Sequence, residues 1–173
     1  LYQDILGSQW MLNYEHLLSL APLIEKFVNP DSRPQLNALS ALATPEAAVS
    51  FITEKGKRLS LADDLKEMPE GSIAVVDLIG AMVKYGGCCS EGTEAIAAQL
   101  GIALSLDNVI GAVLLGDSGG GAVNAVPPML SVLGSRTKPV VSLWDSCGSA
   151  AYFAASSTDH IMASNTVSAA FGS

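Results

Sequence analysis

Charge is scarce in this sequence, and basic charge scarcer still. Only 15% of the 173 residues are charged, nine Lys plus Arg against seventeen Asp plus Glu, for a net charge of −8. Following a phosphate backbone takes a surplus of cations on one surface, so nucleic acid is not an expected partner, and neither is an anionic membrane. Also missing is a run of about eighteen uncharged apolar residues, the length that spans a bilayer. Asp77, Lys84 and Asp117 interrupt the most apolar stretches. The opening Leu1-Tyr2-Gln3-Asp4 shows no basic region followed by an apolar block, so no secretory signal is read there. Cysteine is limited to Cys88, Cys89 and Cys147, which make no disulfide framework, and no C-x-x-C or His-rich spacing suggests zinc. The absences together lead to the expectation of an intracellular, reduced protein with no metal, no cofactor and no membrane anchor.

What is present is apolar bulk, 49% of residues, for which a buried core is the natural sink. The length suits one compact domain, or one with a small appendage. Two textures divide the chain. Residues 1–70 read as a helical N-terminal segment. Asn13 caps a predicted helix Tyr14 to Phe27 whose Leu17, Leu18, Leu20, Ile24 and Phe27 recur at helical spacing, with a kink at Pro22. The stretch Asn29-Pro30-Asp31-Ser32-Arg33-Pro34 reads as a linker, and Thr44-Pro45-Glu46 as a helix start.

Residues 71–173 alternate strand and helix. Strands are predicted at Ile73 to Ile79, Val109 to Leu115, Val140 to Trp144 and Ile161 to Ala163. Helices are predicted from Glu91 to about Leu106, through Met129 to Leu133 behind Pro127 and Pro128, and from Ser149 to about Ser156. A glycine-rich turn, Gly116 to Gly121, and a loop, Asp145 to Gly148, separate them. Apolar strands buried on both faces and separated by helices imply an α/β fold with a parallel or mostly parallel sheet.

The glycine-rich stretch is the first candidate for chemistry. Gly121 is followed by Ala122-Val123-Asn124, so neither a phosphate loop ending in Gly-Lys-Ser/Thr nor a G-x-G-x-x-G dinucleotide fingerprint is present. Gly116-Asp117-Ser118-Gly119-Gly120-Gly121 resembles the nucleophile loop of trypsin-like peptidases, which would make Ser118 the nucleophile. Those enzymes are all-β and need an upstream His and Asp, whereas His16 here sits in an amphipathic helix pattern. The reading kept is that the glycines let backbone N–H groups face an oxyanion at a strand end. A Ser opening the next strand–helix junction, Ser149 in Cys147-Gly148-Ser149-Ala150-Ala151-Tyr152, would reach the same carboxyl edge of the sheet, where α/β proteins place their sites. Taken alone, Ser149 reads as an ordinary N-cap, and only the pairing of the two strand-end motifs lifts it above that.

From Ser72 onward the chain resembles the signal peptide peptidase A family of serine peptidases, relatives of the Clp protease subunit. Asp117-Ser118-Gly119-Gly120-Gly121-Ala122-Val123 is similar to that family's Asp-Ser-Pro-Gly-Gly-x-Val, with Gly119 in place of Pro. Lys138-Pro139-Val140-Val141 matches its Lys-Pro-Val-Val, and Cys147 to Phe153 its Ala-Ala-Ser-Gly-Gly-Tyr-Tyr. Ala154 to Ile161 resembles its Ala-Ser-Ala-Ala-Asp-x-Ile. A weaker similarity, carried by Gln9-Trp10, the following helix, Gly71 to Val75 and Val83 to Gly87, points to the phage and prophage branch that matures capsids.

The resemblance implies a Clp/crotonase-like spiral of strand-strand-helix units behind the helical segment. It makes Ser149 the acylating nucleophile, with an oxyanion hole from the amides of Gly120 or Gly121 and of Ala150. A peptide or protein substrate would lie against the glycine strand near Ala122, Val123, Ala151 and Tyr152. Homo-oligomerisation, phage capsid or scaffold partners, and a bacterial cytoplasmic or prohead location are implied in the same way. The family's general base is a buried, neutral Lys well downstream of the Ser. Residues 150–173 contain no Lys, so that base is expected beyond residue 173. Lys138, at the far end of the strand before Ser149, and Lys84, His160 and Cys147 are poor substitutes. Trp10 and Trp144 read as core or interface anchors. A non-catalytic assembly protein on the same fold is the alternative, and a crotonase-type acyl-CoA enzyme a third option that leaves Ser149 without a role.

Overall fold

The computed structural model describes residues 9–12, 49–60, 68–86, 91–166 and 169–172, with single positions at 7, 14, 18, 21 and 25. Asn13, Pro22, the 29–34 linker, the Thr44-Pro45-Glu46 helix start and Cys88-Cys89 lie outside the described residues, while positions 14, 18, 21 and 25 of the expected first helix are helical. The fold is mixed α/β, a sheet with a few helices.

In chain order the described elements are β1 (Trp10–Leu12), β2 (Val49–Ile52), β3 (Arg58–Ser60), β4 (Ser72–Ile79), α1 (Thr93–Ser105), β5 (Val109–Ser118), β6 (Gly120–Ala122), a 3-10 turn Val123–Ala125, α2 (Val126–Ser135), β7 (Val140–Gly148), α3 (Ala150–Ala155), β8 (His160–Ala163) and β9 (Ala170–Gly172). The main sheet runs β3-β2-β4-β5-β7-β8, with β9 also on β7. From β4 through β8 and β9 the pairing is parallel, as expected from the strand–helix alternation, while β2 and β3 extend the sheet antiparallel. Three strands therefore stand within residues 1–70, where the sequence reads as helical. Val49 and Phe51 are fully buried against the sheet, and the β-branched and aromatic content of Val49-Ser50-Phe51-Ile52 suits that position.

The helices form where expected because their buried residues fall on one face. Ile96, Ala97, Leu100, Ala103 and Leu104 of α1 recur at helical spacing, and Glu94 sits in the first turn, where the helix dipole favours an acid. Pro127 and Pro128 stand in the first turn of α2, where a missing N–H leaves no hydrogen bond unmade, and Val126, Met129 and Leu133 face inward.

These helical faces join Ala74, Val76 and Leu78 of β4, Ala112 and Leu114 of β5, and Val140 and Trp144 of β7 in one buried cluster. The opposite sheet face is more open. Ile73, Ile79 and Ile110 are exposed, and Val113, Leu115, Val141 and Leu143 half-buried. Burial on both faces, expected from the apolar runs, is corrected to an alternation, because the described helices all contribute to a single cluster on one face.

The amino edge of the parallel strands is tied by polar contacts. Asp159 accepts hydrogen bonds from the Arg136 guanidinium at 2.9 and 3.3 Å and from the Val140 amide at 2.8 Å. Lys138 donates to the Leu106 carbonyl at the end of α1. Arg136 beside Asp159, and then the Val140 amide, hold the Asp159 carboxyl below the usual range. A depressed carboxyl contributes stability that is complete above its unfolded pKa, near 4, and lost as pH falls through the folded value. Asp159→Asn will lower the urea midpoint at pH 7, and the gap from wild type will close in acid; a gap that persists there would show that charge is not the cause.

Candidate active site

Both central strands run further toward the carboxyl edge than the sequence suggests. Gly116-Asp117-Ser118, expected in a turn, continues β5, with Asp117 opposite Ile79 of β4. Asp145 to Gly148, expected as a loop, continues β7. The register steps from Gly116↔Trp144 to Ser118↔Cys147, so β7 carries one extra residue there, a bulge. Past the bulge, Ser146 to Gly148 pairs with β9. Partners on both sides override the weak strand propensity of Gly, Asp and Ser.

Ser118 is fully buried. Its hydroxyl donates to the Gly80 carbonyl at 2.6 Å and accepts from the Gly120 amide at 3.2 Å. It is a tie between the end of β4 and the start of β6. Gly120 and Gly121 follow in extended backbone that passes very close to its neighbours. Gly120 has φ +105°, and a Cβ there would stand 2.3 Å from the Met11 carbonyl oxygen and 3.0 Å from the Ala150 amide nitrogen. A Cβ on Gly121 would stand 2.0 Å from the Met82 carbonyl oxygen. Met82 pairs with this strand, donating to the Gly120 carbonyl and accepting from the Ala122 amide, each at 2.9 Å.

Ser149 stands at the junction of β7 and α3. Its backbone, φ 49° and ψ −110°, is the one positive-φ conformation among described non-glycine residues. That region is the first central position of a type II′ turn, which glycine adopts freely and an L residue only under strain, of order 1–3 kcal/mol. The Ser149 amide donates to the Gly172 carbonyl at 2.7 Å, and its carbonyl accepts from Phe153 at 2.9 Å. The hydroxyl makes no capping bond to the helix, so the N-cap alternative describes its position and not its chemistry. Ala150 follows as the first helical residue, whose amide has no acceptor within the helix.

The structure thus brings Gly120 and the Ala150 amide together beside Ser149, with β6 packed on α3. The two candidate donors on the glycine strand differ, since the Gly120 amide already donates to Ser118. The Gly121 amide instead faces β1, with Met11 opposite it. Among the residues expected along a substrate, Tyr152 is exposed and Val123 half-buried, with its amide donating to the Gln9 carbonyl at 2.7 Å. Ala122 and Ala151 are fully buried and act through packing. Sequence reasoning missed Met82, the Ser118 tie and β1. A buried Met after the Gly80-Ala81 turn was the only signal, and it is a weak one.

The substitutes for a base sit as follows. Lys84 lies 5.0 Å over the Tyr85 ring and 3.7 Å from Glu94. Tyr85 first, then Glu94, push its pKa up, the wrong direction for an amine that must be neutral to accept a proton. Lys138 is at the amino edge, and so is exposed His160, which pairs with Val141 at the start of β7. Cys147 is fully buried, and burial pushes its thiol up to about 12. Trp144 is a fully buried core anchor, as expected. Among the described residues no group of three or more His, Cys, Asp or Glu is placed to hold a metal, and no helix is long and apolar enough to cross a membrane.

No protein-family model matches the chain, and no curated protein matches it. Ser149→Gly, which relieves the backbone strain, will raise the unfolding free energy by about 1 kcal/mol in urea titration; unchanged or lower stability would refute the strain. Iodoacetamide at pH 8 will leave the Cys147 peptide unmodified in folded protein and modify it in urea, as mapped by mass spectrometry.

Proposed function

We propose that the chain is a serine endopeptidase of the signal peptide peptidase A type on a Clp/crotonase-like fold, acting on extended peptides in phage head or scaffold maturation. The observation that carries the reading is Ser149: a hydroxyl that caps nothing, on strained backbone, next to the Ala150 amide where it meets the glycine strand. Strain at a non-glycine residue persists only where surrounding structure over-determines it, and it concentrates at functional sites.

In this reading the Ser149 Oγ attacks the peptide carbonyl carbon while its proton passes to a base. The carbonyl oxygen, now negative, takes hydrogen bonds from the amides of Gly121 and Ala150. Collapse breaks the C–N bond, the base returns its proton to the leaving amine, and water then hydrolyses the ester on Ser149. The reading assigns the base to a Lys outside the described residues. Homo-oligomerisation belongs to the same proposal, as does the bacterial or prohead setting.

With the full chain, a fluorophosphonate will add once, at Ser149, as read by intact mass. Ser149→Ala will lose the adduct and at least ~10³-fold in peptide cleavage. Ser118→Ala will keep the adduct and lose about 1–3 kcal/mol of stability, because the Gly80 carbonyl and Gly120 amide lose their partner. Wild-type protein that takes no label and cleaves no peptide would instead favour the non-catalytic assembly role.

A further inference from the structure

The glycine strand has two edges, and this chain occupies both. On one, Met82 bonds to the Gly120 carbonyl and the Ala122 amide. Within a strand the N–H and C=O of one residue point to the same side and those of the next residue to the other. The N–H and C=O of Gly121 therefore face the opposite edge. There β1 runs antiparallel to β6, with Trp10 opposite Ala122, Met11 opposite Gly121 and Leu12 opposite Gly120. The Val123 amide bonds to the Gln9 carbonyl at 2.7 Å, and two residues along, the alternation of antiparallel pairs makes Met11 and Gly121 the next hydrogen-bonding pair.

The Met11 carbonyl is in a telling place. Its oxygen and the Ala150 amide nitrogen lie 2.3 and 3.0 Å from the point where a Gly120 Cβ would be, so both border one small space. In the peptidase reading that space holds the substrate's carbonyl oxygen. The pairing of β1 is with β6 in a two-stranded sheet separate from the main one, so lifting it breaks no ladder of the main sheet. A three-residue strand of this kind opens at low cost.

We infer that the edge of Gly120–Ala122 is a groove for an extended peptide strand, and that residues 9–12 are its resident occupant, a tethered competitor that substrate must displace. The occupant also gives the direction of the displaced peptide, antiparallel to the glycine strand, with a carbonyl between Gly121 and Ala150. The inference rests on the peptidase reading for the role of the groove and on backbone pairing alone for its existence. A groove open only part of the time weakens apparent affinity by the open fraction, so releasing β1 tightens binding of an added strand.

The test is run in the Ser149→Ala background, where nothing turns over, with a fluorescein-labelled synthetic peptide of residues 8–13 read by anisotropy. Met11→Pro removes the amide that pairs with Gly121, and Trp10→Ala weakens the strand with its backbone intact, so the second carries the test should the first not fold. Either variant will bind the peptide at least tenfold more tightly than the Ser149→Ala parent. Equal affinity, or no binding by a folded variant, overturns the inference. The two readings separate on the Ser149 chain: peptide binding as expected without fluorophosphonate labelling leaves the groove and removes the peptidase. Labelling at one rate with and without Met11→Pro, with binding unchanged, does the reverse.

Discussion

Backbone crowding at Gly120 and Gly121 is the constraint on which the rest of the carboxyl edge depends. A three-residue strand passes between the Met82 backbone on one side and the Met11 carbonyl on the other, with the Gly148 carbonyl and the Ala150 amide close above Gly120. A side chain at either glycine would have to displace backbone on a neighbouring element, since contacts of 2.0 to 2.3 Å leave no room for a carbon. Several features follow from this approach. Ser118 is buried because its hydroxyl must bond to both Gly80 and Gly120 at the point where β5 passes into β6. The residues of α3 that meet the strand are alanines because anything larger would push the helix away from it. Ala150, Ala151, Ala154 and Ala155 are all fully buried.

The same crowding explains how a strained residue is held at Ser149. The chain arrives there from Cys147 and Gly148, both buried and paired with β9, and leaves into a helix pinned against the core. The Ser149 amide and carbonyl are both bonded, to Gly172 and Phe153. With each end fixed, relaxing φ would break a strand pairing or unseat α3, each dearer than the strain itself. The hydroxyl is left at this junction with no capping duty.

Periodicity made the parallel sheet and its three helices readable, because each helix repeats buried positions at three and four residues and β4, β5 and β7 are rich in Val, Ile and Leu. The sheet's extent was less readable. Gly116-Asp117-Ser118 and Asp145 to Gly148 have turn composition, and only the partners across the ladder make them strand. Those partners are distant in sequence, as Ser118 and Cys147 are, so no local window contains the cause. Ser149, Gly120, Gly121 and Ala150 are singled out by the family resemblance, with the small residues at two strand ends as its local support. Met82 and Trp10–Leu12 are not, since their part is played by backbone atoms, which any side chain would supply equally well. The same holds for the Gly120 amide: its engagement by Ser118 depends on a turn of one residue, and composition does not report it.

In the proposed peptidase reading the described part of the site is one half of an acyl-transfer apparatus, in which two amides and a hydroxyl would supply the oxyanion donors and the nucleophile. The proton-accepting side has stricter demands, because an amine becomes a base near neutral pH only when apolar surroundings make its charged form costly. The lysines considered as substitutes do not meet that demand. Lys84 has an aromatic ring and a carboxylate beside it, and Arg136 and Lys138 are bonded to acceptors at the amino edge, the length of β7 away from Ser149. Tyr85 and Glu94 hold Lys84 as a cation, the wrong state for taking a proton, and Lys138 is placed out of reach of Ser149. The ion pairs of Arg136 and Lys84 thus lie at opposite edges of the sheet, and that of Arg58 with Asp77 reaches from β3 to β4. Ser149 itself is flanked in the chain by Cys147, Gly148, Ala150 and Ala151, all buried and uncharged.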